Sequence, residues 1–203
     1  MFEASWMEVI TLALGVAVAG GVAGVLAGLF GIGGGAILVP VFYQVLGIVG
    51  VEEGIRMHLA VGTSLAIIVP TSIRSFLSHR AKGAVDMELL KSFVFAVPAG
   101  VVLATLVFAS ISGRELRIVF AVIAILVGLR LLFNRESWKI GDDLPTGIGR
   151  YAVGALIGFL STLMGIGGGV LNNTFMTLFG RPIHQAVATS AGVGVLISIP
   201  GFI

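Results

Sequence analysis

"GLFGIGGGAILVP", residues 28–40, places four glycines within five positions of an apolar run, and "STLMGIGGGVLNN", residues 161–173, repeats its centre. Glycine inside a helix costs about 1 kcal/mol relative to alanine. The same unfavourable pentapeptide in two segments marks two interruptions, and the reading of the chain turns on what they interrupt.

The surroundings are membrane-like. The first copy lies within residues 9–51, none of them charged; further charge-free stretches cover 57–73, 92–113, 118–129, 151–180 and 182–203. Soluble domains carry about 25% charged residues. Here 11% are charged and 57% hydrophobic, with a mean hydropathy of +1.11. Crossing the hydrocarbon core takes about 20 apolar residues in a helix, and several stretches supply them. The expected class is an all-α, polytopic membrane protein, with helices near 8–30, 34–50, 57–78, 89–110, 115–133, 149–165, 168–180 and 184–203. The net charge of +2 needs no nucleic-acid partner, because lysine and arginine flank membrane spans on the cytoplasmic side. The N-terminus lacks the basic region of a signal peptide, so 9–30 reads as a retained first span. No cysteine and three scattered histidines leave no expected metal site.

Residues 134–148, "NRESWKIGDDLPTGI", form the long polar connection. They separate a first membrane unit, 1–133, with about five spans, from a second, 149–203, with about three. If each glycine cluster ends one crossing and starts the next, the N-terminus lies outside. Arg74, Arg80, Lys82, Lys91, Arg130, Arg135, Lys139, Arg150 and Arg181 then lie inside, against Arg56, Arg114 and Arg117 outside. If each cluster only breaks one long helix, Arg181 moves outside and the bias weakens. The first topology is preferred. Arg74, His79, Arg80 and Lys82 read as a basic cytoplasmic loop.

The clusters belong to a longer duplication. "HLAVGTSLAIIVP", 58–70, follows the first copy and "HQAVATSAGVGVLISIP", 184–200, the second. His58, Ala60, Val61, Thr63 and Ser64 match His184, Ala186, Val187, Thr189 and Ser190 at one offset. An odd number of spans in the first unit turns the second over, giving an inverted helical repeat of the kind secondary transporters use. The second repeat is incomplete, lacking counterparts of 85–133, and the expectation is a fragment of a longer protein.

Three explanations compete for the glycines. Close helix packing suits Gly20, Gly24 and Gly28, and Gly154 and Gly158, at G-x-x-x-G spacing. A dinucleotide fingerprint fails because no strand precedes the motif, and no Walker lysine follows, so no cofactor is expected. Consecutive glycines, Gly31 and Gly33 to Gly35, then Gly165 and Gly167 to Gly169, suit an unwound backbone instead. Helices beginning at Gly35–Ala36 and Gly169–Val170 would present free N–H groups and a partial positive charge to an anion. Thr63, Ser64, Thr189 and Ser190 could add hydroxyl donors. Asn172 and Asn173, costly in lipid, should line the path. His58 and His184 read as interfacial, Arg56 and Arg181 as anchors, and Pro40, Pro70, Pro98 and Pro200 as bends.

"GLFGIGGGAILVP" and "GIGGGVLNN", each followed by an Ala-Val-x-Thr-Ser block, resemble the sulfite exporter TauE/SafE family, also called the 4-toluene sulfonate uptake permease family. The resemblance implies a transporter, presumed an exporter of sulfite or an organosulfonate, multi-pass in the bacterial inner membrane. Its partners would be a small anionic substrate and the bilayer, with room for a homo-oligomer. The chain departs in length and in having Leu171-Asn172-Asn173 where the first copy has Ile37-Leu38-Val39-Pro40. The alternatives are a passive anion channel and a membrane-embedded enzyme or accessory subunit; an enzyme would need a base, nucleophile or metal that the spans do not offer.

Overall fold

The apolar runs resolve, in the computed structural model, into helices and turns. It describes residues 34–133 and 139–202, together with Met7, Ile10, Leu14, Ala17, Gly20, Gly21, Gly24 and Val25, these eight all helical. Among the described residues there is no strand, and the helices are α1 (Gly35–Ile48), α2 (Glu53–Ala81), α3 (Met87–Phe108), α4 (Gly113–Leu132), α5 (Ile148–Leu163), α6 (Gly169–Leu178) and α7 (Ile183–Phe202). The expected helix 8–30 lies largely outside the described residues. One expectation is corrected: Arg74, His79 and Arg80 are not in a loop. Helix α2 continues to Ala81, because the first residue able to end it is Gly83.

Four helices end in the same way. At the close of α5 the Gly165 amide bonds the Thr162 carbonyl (3.0 Å) and the Ile166 amide bonds the Ser161 carbonyl (2.9 Å), with Gly165 at φ +64°. That is the Schellman arrangement, which needs a left-handed residue that glycine adopts without a Cβ penalty. Gly50, Gly83 and Gly180 repeat the pattern after α1, α2 and α6. Helix starts differ. Asp86 caps α3 by accepting from Leu89 N at 3.0 Å, and Ser112 with Glu115 forms a capping box on α4. Helices α1 and α6 begin at Gly34 and Gly168 with no side-chain cap.

Length separates two kinds of helix. α2, α3 and α7 are long and apolar enough to cross a membrane. At 1.5 Å per residue, the 14 residues of α1 cover only about 21 Å and the 10 of α6 about 15 Å, against about 30 Å of hydrocarbon. The turns gather at two ends. At one, His58 Nε2 lies 3.1 Å from the Ile111 carbonyl, Arg117 bonds both Glu53 and Tyr43 at 2.7 Å, and Arg56 donates to the Val51 carbonyl (2.8 Å). At the other, Arg150 pairs with Glu88 (3.1 Å), and Ile140 N donates to the Leu178 carbonyl (2.8 Å). Thus α5 starts and α6 finishes at the same end, and the second glycine cluster is the tip of a hairpin, not a break in one long helix. Arg181 follows Gly180, where a Cβ would stand 3.8 Å from Lys139 Nζ, at this same end.

The hairpin packs through small residues. Helices α3 and α5 run parallel and touch backbone to backbone: a Cβ at Gly100 would collide with the Ala155 carbonyl, and one at Gly158 with the Val97 carbonyl. Gly154 fits against the Phe93 ring. Packing therefore accounts for Gly154 and Gly158 as expected, whereas a Cβ at Gly20 or Gly24 would meet none of the described residues within 4 Å. Helices α2 and α7 are antiparallel, with Phe76 beside Gly192, Ser72 beside Gly194 and Ser198, and Leu65 beside Gly201.

Overpacking a tight site costs about 1–3 kcal/mol. Gly100→Ala should therefore lower the thermal unfolding temperature of the detergent-purified protein clearly. Gly62→Ala, in the same class of apolar helix but with nothing within 4 Å of its new Cβ, should leave it unchanged or raise it. Equal behaviour of the two variants would contradict the close α3–α5 contact.

Candidate functional site

The two glycine clusters meet inside the bundle. A Cβ on Gly35, the first residue of α1, would strike the Gly165 carbonyl oxygen and stand 2.8 Å from Ile166 Cα. Because the turn after α5 takes Gly165 out of the helical ladder, its carbonyl needs another donor. Ser64, fully buried in the middle of α2, supplies one: its Oγ donates to Gly165 O at 2.7 Å. A Cβ on Gly165 itself would lie 2.9 Å from Val39 Cγ2 and 3.1 Å from Val61 Cα. Three elements thus converge where the two copies of the pentapeptide touch.

On the far side of the hairpin tip, α6 carries a buried polar set toward α7. Asn172 Nδ2 donates to Ser190 Oγ (2.8 Å), and Ser190 Oγ donates to Asn173 Oδ1 (2.6 Å). Asn172 is fully buried, Asn173 and Ser190 nearly so, and among the described residues Asn172 Oδ1 has no partner. Above this set, the helix start is bare. The first bond of α6 is Asn172 N to Gly168 O (2.9 Å), and among the described residues the amides of Gly169, Val170 and Leu171 meet no acceptor. At α1 the first bonds are those of Ile37 and Leu38 to Gly34 O, and among the described residues the Gly35 and Ala36 amides meet no acceptor.

Not all predicted residues come together here. Gly31 and Gly33 lie outside the described residues. Thr63 is exposed on α2, and Thr189, though fully buried, accepts from Asp86 N at 2.9 Å and so holds the α3 cap. Of each Thr-Ser pair, only the serine faces the glycine breaks or the asparagines. His58 ties α2 to the α3–α4 turn and stacks edge-on to Phe108, while His184 is exposed. Sequence reasoning missed Ser161, fully buried with its hydroxyl unpartnered, and the contact of Ser72 with Ser198 (3.5 Å). The signal for Ser161 was its position one helical turn before Gly165 on an apolar helix.

Two short helices beginning at duplicated glycines, inside an all-helical apolar bundle, are what the glycine spacing predicts, and the family that the same motifs resemble is shown by comparison with known proteins. Residues 16–203 match the family model described as sulfite exporter TauE/SafE. The chain belongs to the TauE/SafE family. It is 33% identical over 182 residues to a protein of Haemophilus influenzae named a probable membrane transporter, covering 90% of this chain and 69% of that one. Proteins of the same description from Methanocaldococcus jannaschii (31% over 192 residues, 92% and 69% covered) and Bacillus subtilis (28% over 204 residues, 91% and 74% covered) are also similar. No solved structure matches the chain. As a member of the TauE/SafE family it is a multi-pass membrane transporter, and a small substrate follows from that membership.

Within this TauE/SafE protein the equivalent glycines Gly34 and Gly168 are not alike. Gly168 sits at φ +72°, and its Cβ would lie 2.7 Å from Ile197 Cδ1 and 2.9 Å from Val193 Cγ1; Gly34 is right-handed at φ −61°, with its nearest neighbour, Leu38 Cδ1, at 3.4 Å. Alanine is therefore expected to act differently at the two positions, although the pentapeptides are identical. Gly34→Ala should leave the melting temperature within a degree or two of wild type. Gly168→Ala should lower it markedly, through a strained φ and a clash that together cost about 1–3 kcal/mol. A reversed ranking in thermal unfolding would refute the αL start of α6.

Proposed function

We propose that the chain is a secondary transporter, an exporter, of a small sulfur-containing anion such as sulfite or an organosulfonate across the cell inner membrane, with the two glycine breaks as its binding place. The observation that carries this reading is the pair of bare helix starts. Asp86 and Ser112 cap α3 and α4, and α2 and α5, which also lack a side-chain cap, start at the bundle's ends; the starts at Gly34 and Gly168 lie in the interior, where among the described residues their backbone donors meet no acceptor. Free amides at a helix N-terminus, with the partial positive charge there, attract an anion without placing a full charge in the membrane. Buried Ser64, Ser190, Asn172 and Asn173 stand within the same interior, and hydroxyls and amides can serve the oxygens of a sulfite-like group. Such donors bind and orient; we read the protein as a carrier and not as an enzyme.

Two further features support this reading. The antiparallel α2 and α7 carry the matching blocks, and Ser72 touches Ser198, its own counterpart at the same offset of 126 that relates His58 to His184. A residue meets its own counterpart close to a two-fold axis, which favours an inverted repeat of units 1–133 and 149–203. The gathering of Lys82, Lys91, Lys139, Arg150 and Arg181 toward one end favours that end as cytoplasmic, with the N-terminus and the α1–α2 turn outside.

Proline is accepted in the first turn of a helix and removes one amide donor. A donor to a charged ligand is worth about 1.5–3 kcal/mol, hence about tenfold or more in affinity. Val170→Pro and Ala36→Pro should each weaken sulfite or organosulfonate binding to the purified protein by that factor, with the apo melting temperature near wild type. In proteoliposomes the wild-type chain should give protein-dependent flux of one of these anions. Wild-type affinity in both well-folded proline variants would refute the bare helix starts as the binding place.

A further inference from the structure

Helix α2 carries a polar feature that the glycine breaks do not use. Beyond Pro70, residues Thr71, Arg74, Ser75, Ser78 and His79 line an open cavity of about 560 Å³. Positions 71, 74, 75 and 78 follow i, i+3, i+4, i+7 and so share one helical face. That face is turned away from the core, which α2 meets through Val61, Leu65, Ile68 and Ser72. Polar side chains in register along a membrane-crossing helix call for a polar counterpart.

The chemistry of the lining selects its sign. Among the described residues the Arg74 guanidinium makes no ion pair and no hydrogen bond, whereas Arg56, Arg117 and Arg150 are all engaged. The hydroxyls of Ser75 and Ser78 are likewise unengaged, and Thr71 Oγ1 donates to the Ile67 and Ile68 carbonyls, both at 3.0 Å. Among the described residues no carboxylate lines the cavity. A free guanidinium fork beside two free hydroxyl donors matches an oxyanion, which arginine can hold through two parallel N–H bonds. Arg74 stands seven residues before the helix end, about 10 Å inward of it, so its long side chain works near the membrane interface.

The groove also has a place on a route. Its lining runs along α2 from Pro70 to His79, toward the helix end at Ala81. Its innermost lining residue, Pro70, comes two residues after Ile68, whose Cγ2 lies 2.7 Å from where a Cβ on Gly167 would stand. We infer that Arg74, with Ser75 and Ser78, forms a second oxyanion site, distinct from the glycine breaks, at the basic end of α2. A transported sulfur anion and the phosphate of an anionic lipid share that chemistry. The first source makes the groove a capture station for the substrate, and that part rests on the transporter reading above; the second makes it a lipid site.

The full chain in phosphatidylcholine nanodiscs, as wild type, Arg74→Gln, Arg74→Lys and Arg80→Gln, tests this. Arg80 is one and a half turns further along and does not line the cavity. One arm titrates sulfite; the other supplies phosphatidylglycerol and reads its retention by native mass spectrometry. Arg74→Gln should weaken sulfite binding about tenfold or more, or abolish phosphatidylglycerol retention, with an unchanged melting temperature. Arg74→Lys should restore part of the loss, and Arg80→Gln should behave as wild type. Loss in the first arm identifies substrate capture, and loss in the second a lipid phosphate. If Arg74→Gln changes neither arm the groove is not an oxyanion site, and a concurrent loss of sulfite binding in Val170→Pro leaves the transporter reading standing. If wild type binds no sulfur anion, the transporter reading falls and the phosphatidylglycerol arm alone decides the groove.

Discussion

The Gly165 carbonyl is the constraint on which the hairpin interior depends. A backbone that leaves its helix inside an apolar bundle has exposed groups that lipid cannot satisfy, each costing several kcal/mol if left alone. Here the Schellman turn serves the Thr162 and Ser161 carbonyls, and Ser64 of α2 serves Gly165. Gly35 approaches so closely that no side chain could stand in its place. The first glycine cluster is thus needed partly to accommodate the second. Neither interruption could be moved by a residue without disconnecting a buried carbonyl from its donor.

From that contact the short helices follow. Turned back at Gly165 and restarted at Gly168, the chain has only α6 with which to return to the end where α5 began, and ten residues suffice because the tip is internal. The remaining packing then has to be close. Gly100 and Gly158 bring α3 and α5 to backbone contact, and Gly192, Gly194 and Gly201 let α7 lie against α2 and α3. Small residues are how helices associate where lipid removes the hydrophobic drive between them. Large apolar side chains such as Phe95, Leu106 and Ile125 are left outside, as a surface facing hydrocarbon requires.

What could be read in the sequence was local. Charge-free runs gave helices α1 to α7 to within a few residues, and the pentapeptide gave the positions at which α1 and α6 start. Partners were not legible, because they depend on which helix arrives from elsewhere. Thr63 and Thr189 sit in matching blocks, yet Thr189 is fixed by the Asp86 amide of α3 while Thr63 is exposed. Gly34 and Gly168 occupy the same place in identical pentapeptides, yet only Gly168 is left-handed, wedged against Val193 and Ile197. Arg74 and Arg80 read as a loop because charges usually mark one. The helix nevertheless runs on beneath them, since neither residue interrupts it and Pro70 is tolerated within.

The difference between bare and capped helix starts has an energetic logic for the transporter proposed here. A full charge held at the middle of a membrane costs at least about 2.5–3.5 kcal/mol on insertion scales. A carrier with an arginine at its centre would carry that cost in its empty state, on every return. Backbone donors at two helix starts supply about half a charge each, with no ionised group to desolvate. The empty site is then nearly neutral, and the anion brings the charge that the dipoles answer. Arginine is better placed where Arg74 stands, within reach of the interface, where its hydration is kept and its charge can draw an anion toward the neutral interior.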